Sequence, residues 1–449
     1  MTKTGLRRRS LLGAAGGMAA TMLGSPAVIG QTKSPYAGQT IRVSVFAITY
    51  YEYLKDSLPE FEAQTGIKAL MDIQAFPIYN QRADLELSTG GSALDVVNVT
   101  FIYSGRWIGA GWLANLDQFL HDPNATPADW DPADFVAGAQ VSLRDDKGST
   151  YGFGAEAGTM VLGAGRADLI DKAGMKLPTT MDEMVAVCEA VHNKDGVTAI
   201  TADNLHHAAW PPYHQAQGGT IFKHIPDDLR PMLDTPLAAQ TAGWYANLLA
   251  KYGPAGVLSF TDDQALQTQL SGHCNMRCTV IDLLLPLAKN PASKVKDTVR
   301  YGMMPGGPAG FFPGVNCHGL GIPAGSRNKG AAWEFIKWAL SKQMCRRMVV
   351  EKGYPSVCRR SVIEDAAFKS ALMVNGQDLA ALYLQCLELP AKTNYTAYRI
   401  MPVFPQVGDK INRAISTIAT GQMDAASAMK QAQAQAVADI VKAGYTISQ

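Results

Sequence analysis

Apolar and polar residues alternate through IRVSVFA, where Ile41, Val43 and Val45 fall on one side of an extended chain. A period of two marks a half-buried strand. A turn is expected at Thr49-Tyr50-Tyr51, and then the period changes. In YEYLKDSLPEFEAQTG, Leu54, Leu58 and Phe61 share a helical face and Gly66 supplies the stop. IKALMDI predicts a second strand and QRADLELSTGG a second helix with a glycine stop. DVVNVT, Asp95 to Thr100, reads as a short buried strand of the parallel-sheet kind. Strand, helix, strand, helix, strand implies a parallel sheet covered by helices.

The pattern resumes after Tyr151. LPTTMDEMVAVCEAVHN predicts a helix capped by Thr180, with Asp182 and Glu183 near its positive end. GVTAITA predicts a strand, and TPLAAQTAGWYANLLAKYG and DDQALQTQLSGH predict helices. The glycine- and proline-dense YGMMPGGPAGFFPG marks a connection before a strand in GLGIPAGS. AAWEFIKWALSKQMCRRMVV places Trp333, Ile336, Leu340, Met344 and Met348 at steps of three and four, one amphipathic helix stopped by Gly353 and Pro355. The remainder reads as mostly helical, with an Ala/Gln-rich run in AASAMKQAQAQAVADIV.

The first residues follow another logic. In LRRRSLLGAAGGMAATMLGSPAVIGQ three arginines precede an uncharged run that holds five glycines and Pro26. A spanning helix needs about 20 mostly apolar residues, and this run is too weakly hydrophobic for one. A basic start, a short apolar middle and a small-residue end, Ser25-Pro26-Ala27 or Val28-Ile29-Gly30, make an export signal over residues 1–30. Arg8-Arg9 followed by Ser10-Leu11-Leu12 has the twin-arginine form. No cysteine precedes Cys188, so no lipid anchor is expected, and a free exported chain suits a periplasm.

Composition narrows the rest. At 449 residues, 47% apolar and 18% charged, the chain has room for two or three ordinary globular domains. Removing Lys3, Arg7, Arg8 and Arg9 leaves 36 basic against 39 acidic residues, a net charge of −3. No stretch is basic enough to grip nucleic acid. Seven cysteines leave at least one thiol free; Cys345 and Cys358 are spaced to bridge a short loop. His273, Cys274 and Cys278 form a weak metal hint without a second pair, so no metal or other cofactor is expected. No phosphate loop, H-E-x-x-H or nucleophile elbow occurs, and GLGIPAG misses the dinucleotide glycine spacing by one residue, which argues against an enzyme.

The order of these segments resembles the extracellular solute-binding proteins of ABC importers, in the family that takes up sugars. LPEFEAQTGIKA is similar to that family's opening helix and second strand, and DVVNVTFIYSGRWIGAGWLANLDQFL to its third strand and following helix. YGFGAEAG with DLIDKAGMKLPTTMDEM is similar to the crossing into its second lobe, and VRYGMMPGGP with GLGIPAGSRNKGAAWEFIKWAL to the return. GYPSVCRRSVIED and GQMDAASAMKQAQAQAVADIV are similar to its close. The resemblance implies an α/β fold of the type II periplasmic binding protein kind, two lobes with a ligand cleft between them. Lobe one would be 39–147 plus 305–351, and lobe two 151–300 plus 355–449, with hinges near 148–152, 301–304 and 353–354. It also implies a monomeric receptor that hands a small solute to an ABC permease in the inner membrane. Two departures concern the substrate: GAGRADL stands where many members have Tyr-Arg-Lys-Asp, and NCHGLG puts His318 where many carry tryptophan.

A sugar or polyol receptor needs aromatic faces for C–H surfaces and carboxylates, amides or imidazoles for hydroxyls, set on loops at strand ends. The candidates in such places are Tyr50, Tyr79, Thr100, Tyr103, Glu156, Trp210, Asp282, Asn316, His318 and Tyr398. Each has a blander alternative. Tyr50 and Tyr103 fit surface aromatics, Trp210 beside Pro211 and Pro212 fits a loop anchor, and His318 fits a structural histidine. Trp107, Trp112, Trp333 and Trp338 sit on helical faces and are expected in cores. A polyamine would need several acids and a phosphate would need Arg or Lys. With two acids among the candidates, a neutral polyol is favoured, and Trp210 is expected to stack on its apolar face.

Overall fold

The computed structural model describes residues 34–448, so the export segment expected over 1–30 lies outside them. Ten strands carry the architecture: β1 Thr40–Phe46, β2 Lys68–Gln74, β3 Val96–Val99, β4 Gly152–Ala164, β5 Thr198–Ile200, β6 Phe222–His224, β7 Asp228–Pro231, β8 Cys274–Val280, β9 Arg300–Met303 and β10 Val315–Gly321. The main sheet runs β2-β1-β3-β10-β4-β8-β5, with β9 also on β4. β1 lies parallel to β2 and β3, as the alternating pattern required. β10 returns antiparallel between β3 and β4, and β8 is antiparallel to β4 but parallel to β5.

β4 is the shared element. It is 13 residues long and buried throughout. Its first part, from Gly152 to Thr159, pairs with β10; its last, from Met160 to Ala164, pairs with β8. His318 stands opposite Glu156 and Asn316 opposite Gly158. The register then slips, since Gly319 faces Gly154, and Ala155 is left as the extra residue of a β-bulge.

Two apolar cores flank this strand. The first gathers Ile41, Val43, Val45, Phe61, Trp107 and Trp333; the second gathers Leu162, Met184, Trp210, Tyr245, Ile411 and Met429. Ile281, Leu284 and Val295, and then Cys358, Phe368, Tyr383 and Leu387, join the first core although both segments were expected in lobe two. The physical reason is visible in the backbone. Val136 N–H donates to the Cys358 carbonyl at 2.9 Å, and the Tyr383 hydroxyl donates to the Ala157 and Val357 carbonyls at 2.9 and 2.8 Å. Gly138 admits the Leu387 carbonyl where any Cβ would collide with it.

Local signals explain most boundaries. Thr180 and Glu183 form a reciprocal capping box at the start of the helix Met181–Val191. Gly66 takes φ 74° to end the helix Thr49–Thr65. That helix already begins where a turn was expected, which changes the direction of Tyr50 and Tyr51. The helix Phe76–Ser88 also starts earlier than expected, with Pro77 in its first turn, where a missing N–H goes unnoticed. The long amphipathic run is two helices, Lys329–Ala339 and Lys342–Lys352, because Ser341 caps the second by accepting from Met344 N–H at 3.1 Å. No helix among the described residues is long and apolar enough to cross a membrane.

Candidate functional site

The chain leaving β1, the chain leaving β8 and the segment 353–358 converge on Glu156 at the middle of β4. Glu156 is 8% exposed and its Oε2 has no hydrogen-bond partner. Asp282 opens the short helix after β8, and its Oδ1 is also unpartnered. That oxygen lies 3.8 Å from where a Cβ on Gly158 would sit, so it overhangs β4 two residues along from Glu156 and on the same face. The Tyr354 hydroxyl and Ser356 Oγ, buried beside them, have no partner either. Tyr354 is fixed by stacking on Tyr50, with ring centroids 6.1 Å apart.

The electrostatics follow from this placement. Burial, and then the Asp282 charge, push the Glu156 carboxyl well above its ordinary range; the nearby Tyr354 hydroxyl opposes the shift. Burial raises Asp282 too, against its own backbone N–H and the Ser356 hydroxyl. No cation acts on either acid. His318 supplies none, because its ring is caged by Phe46, Phe101 and Phe76 at 4.9, 5.2 and 5.8 Å and burial drives its pKa down to about 3. Its Nδ1 is a further unpartnered atom. A groove of about 830 Å³ is lined by Ile48, Thr49, Asp282, Leu283, Leu285 and Tyr354, so it reaches Asp282, while Glu156 is not part of its wall.

The other expected residues are placed differently. Trp210 is a correction: it is fully buried in the second core, within the helix His206–Ala216 rather than a loop. One face stacks on His214 at 4.8 Å and its Nε1–H donates to Thr241 Oγ1 at 3.3 Å, so no face remains for a solute. Tyr50 points into the first core and spends its hydroxyl on the Ala339 carbonyl. Tyr79 donates to the Asn98 carbonyl at 2.6 Å, and Thr100 to Asn80 at 2.9 Å. Tyr103 packs against Trp107 at 5.8 Å. Tyr398 and Asn316 both accept from Arg399, Tyr398 at 2.8 Å. The structure thus brings Glu156, Asp282 and His318 together and binds the remaining candidates into the framework around them.

Tyr354, Ser356 and Arg399 were not among the expected residues. Tyr354 and Ser356 lie in GYPSV, which reads as a helix stop and, by the resemblance, as a hinge at 353–354. Arg399 is buried without an acidic partner, and its role comes from a helix defect. Pro212 has no N–H for the Ala208 carbonyl, and Arg399 Nη2 donates to that carbonyl at 2.9 Å instead. All seven cysteines are free thiols, so Cys345 and Cys358 are not bridged; Cys345 faces the Tyr50 hydroxyl at 3.8 Å, and Cys358 packs with Cys317 over Gly154. Among the described residues no group of three His, Cys, Asp or Glu side chains is placed to hold a metal ion.

Residues 58–374 match the family described as bacterial extracellular solute-binding protein. The chain is 24% identical over 398 residues to the erythritol/L-threitol-binding protein of Mycolicibacterium smegmatis, covering 81% of this chain and 83% of the relative. It is 23% identical over 395 residues to the mannitol-binding protein of Pseudomonas aeruginosa, covering 82% and 85%. In structure it is similar to the ABC transporter solute-binding protein of Agrobacterium radiobacter K84 in complex with ribitol, with a TM-score of 0.77, 21% identity and coverage of 90% and 99%. The corresponding protein of Agrobacterium vitis S4 with bound D-mannitol gives 0.76, 24%, 91% and 99%.

Proposed function

Because the chain belongs to the bacterial extracellular solute-binding proteins, we propose that it captures an uncharged polyol beside β4 and presents it to the permease of an ABC importer. One observation carries this reading: Glu156 Oε2, Asp282 Oδ1, Tyr354 OH, Ser356 Oγ and His318 Nδ1 are all buried without partners around one corner of the fold. A buried polar atom left unpaired costs about 1–3 kcal/mol, so such a cluster is a frame waiting for a ligand. A polyol suits it because every hydroxyl both donates and accepts. Relatives named for erythritol and mannitol, and similar structures holding ribitol and mannitol, support the same class. The hinge segments around β4 let the halves close on the solute, so closure and affinity are linked. The receptor releases its solute chemically unchanged, acts as a monomer outside the cytoplasm, and reaches that compartment through the Arg8-Arg9 signal.

Calorimetric titration of the mature protein with erythritol, ribitol and mannitol, alongside maltose, spermidine and a sugar phosphate, tests the reading. One alditol is expected to bind one-to-one and to raise the melting temperature when in excess. Binding of spermidine or the phosphate with no response to any alditol sinks it.

A further inference from the structure

The acid pair raises a question that polyol capture alone does not answer. Two carboxylates share one corner, Glu156 buried and Asp282 half-buried at the groove, each with an oxygen that no protein group bonds. The helix Thr49–Thr65 offers them only Tyr51, and the helix Leu379–Thr393 only Tyr383, both uncharged hydroxyls that burial keeps protonated. The segment 353–358 contributes Tyr354, Ser356 and the thiol of Cys358, and β10 contributes the thiol of Cys317 and the neutral His318. Lys289 and Lys352 share the groove with Asp282, but they lie exposed at its rim and pair with neither acid. Two ionised carboxylates without a cation would carry a desolvation penalty of several kcal/mol per ion, and a group so placed neutralises instead.

We propose that Glu156 and Asp282 hold a single proton between them, carried by Glu156, and that this mixed pair reads two adjacent hydroxyls of a neutral polyol while rejecting an anionic one. The assignment to Glu156 follows from the surroundings. Asp282 is half-buried in the groove wall, with its own backbone N–H and the Ser356 hydroxyl favouring its charge, whereas Glu156 is buried and has the Tyr354 hydroxyl alone. A protonated Glu156 is a donor as well as an acceptor, and an ionised Asp282 is an acceptor only. One hydroxyl of a vicinal diol then accepts from Glu156 while its neighbour donates to Asp282. A carboxylate or phosphate on the solute would meet the Asp282 charge with nothing to balance it. The inference rests on the polyol reading of the cleft and adds its proton and its charge selectivity.

The test is calorimetric titration of the full mature chain with whichever alditol binds, from pH 6 to 10, in two buffers of different ionisation enthalpy. Affinity is expected to be flat at the acidic end and then to fall by up to about tenfold per pH unit as the pair loses its proton, with uptake of one proton on binding in that range. Glu156→Gln, whose amide cannot ionise, should abolish both the slope and the uptake. Asp282→Asn should move the uptake to lower pH, because the charge that holds the Glu156 proton is gone; it also serves if the Gln variant fails to fold. D-gluconate should bind at least about a hundredfold more weakly than the alditol of the same chain length. A pH-independent affinity without proton uptake, a slope that survives Glu156→Gln, or equal affinity for gluconate overturns the proposal while leaving the polyol reading intact. Absence of alditol binding at every pH sinks the polyol reading itself.

Discussion

A second acid pair, Asp203 and Asp262, is built in the opposite way to the first. Arg277 is wholly buried and donates to Asp203 at 2.7 Å and to Asp262 at 2.5 Å, so a guanidinium stands between the two carboxylates. Glu156 and Asp282 have the same two charges to place and no cation. The energetic consequence differs in kind. Around Arg277 both carboxylates are paired with the guanidinium, and only its Nε–H is left without a partner. Around Glu156 the arrangement is incomplete by itself, and incompleteness is what a binding site keeps. Buried charge thus marks function here only where its compensation is missing.

The comparison breaks most sharply at Arg277. Arg277→Met leaves the buried Asp203 without its cation and should lower stability by about 3–5 kcal/mol in urea denaturation, with polyol affinity of the surviving folded protein nearly unchanged. Next in size, Glu156→Leu should invert that pattern. Removing an uncompensated acid should leave stability within about 1 kcal/mol of wild type or above it. The lost hydroxyl partner should weaken capture by about 1–3 kcal/mol, roughly tenfold to more than a hundredfold in titration. A strong loss of stability in Glu156→Leu would erase the distinction between the two pairs. The smallest effect is at Asp262, which burial and the Asp203 charge raise to about 6 from an ordinary 3.8. Its contribution is fully present below pH 3.8 and lost as pH rises through 6. Asp262→Asn should therefore match wild type at pH 4 and melt higher above pH 6. Since the Asp262 side chain is 39% exposed, screening holds the gain below about 1 kcal/mol.

How much of this was legible in the sequence depends on how local the cause is. Gly66 and the Thr180–Glu183 box act over a few residues, and both ended or began helices where the pattern placed them. Trp333 was read as core from its spacing and is 1% exposed. Trp210 failed because Pro211-Pro212 reads as loop chemistry. The helix runs through both prolines, and the carbonyl that Pro212 leaves free is met by Arg399, nearly two hundred residues away. Of the residues gathered around β4, Asp282 was legible as a polar residue after a strand, and Glu156 through the family resemblance of YGFGAEAG; His318, expected just before the GLGI strand, lies within β10. Tyr354 and Ser356 were not legible as site residues, since only the return of the chain alongside β4 gives them a role. Residues 358–387 likewise carry no local mark of which core they join.

β10 has one more consequence, and it concerns time. Residues 315–321 fill the gap between strands made of residues 96–99 and 152–164. Until Gly321 has been synthesised, β3 and β4 each present an open edge to whatever is nearby. At roughly 5–20 residues per second, β3 waits on the order of ten to forty seconds for its neighbour. The export signal expected over residues 1–30 would, by contrast, be the first part of the chain to emerge. An export route that carries unfolded chains can act on it at once, whereas a route for folded cargo must first let the ribosome reach β10. For this protein the choice of gate into the periplasm is also a choice of the compartment in which that sheet is closed.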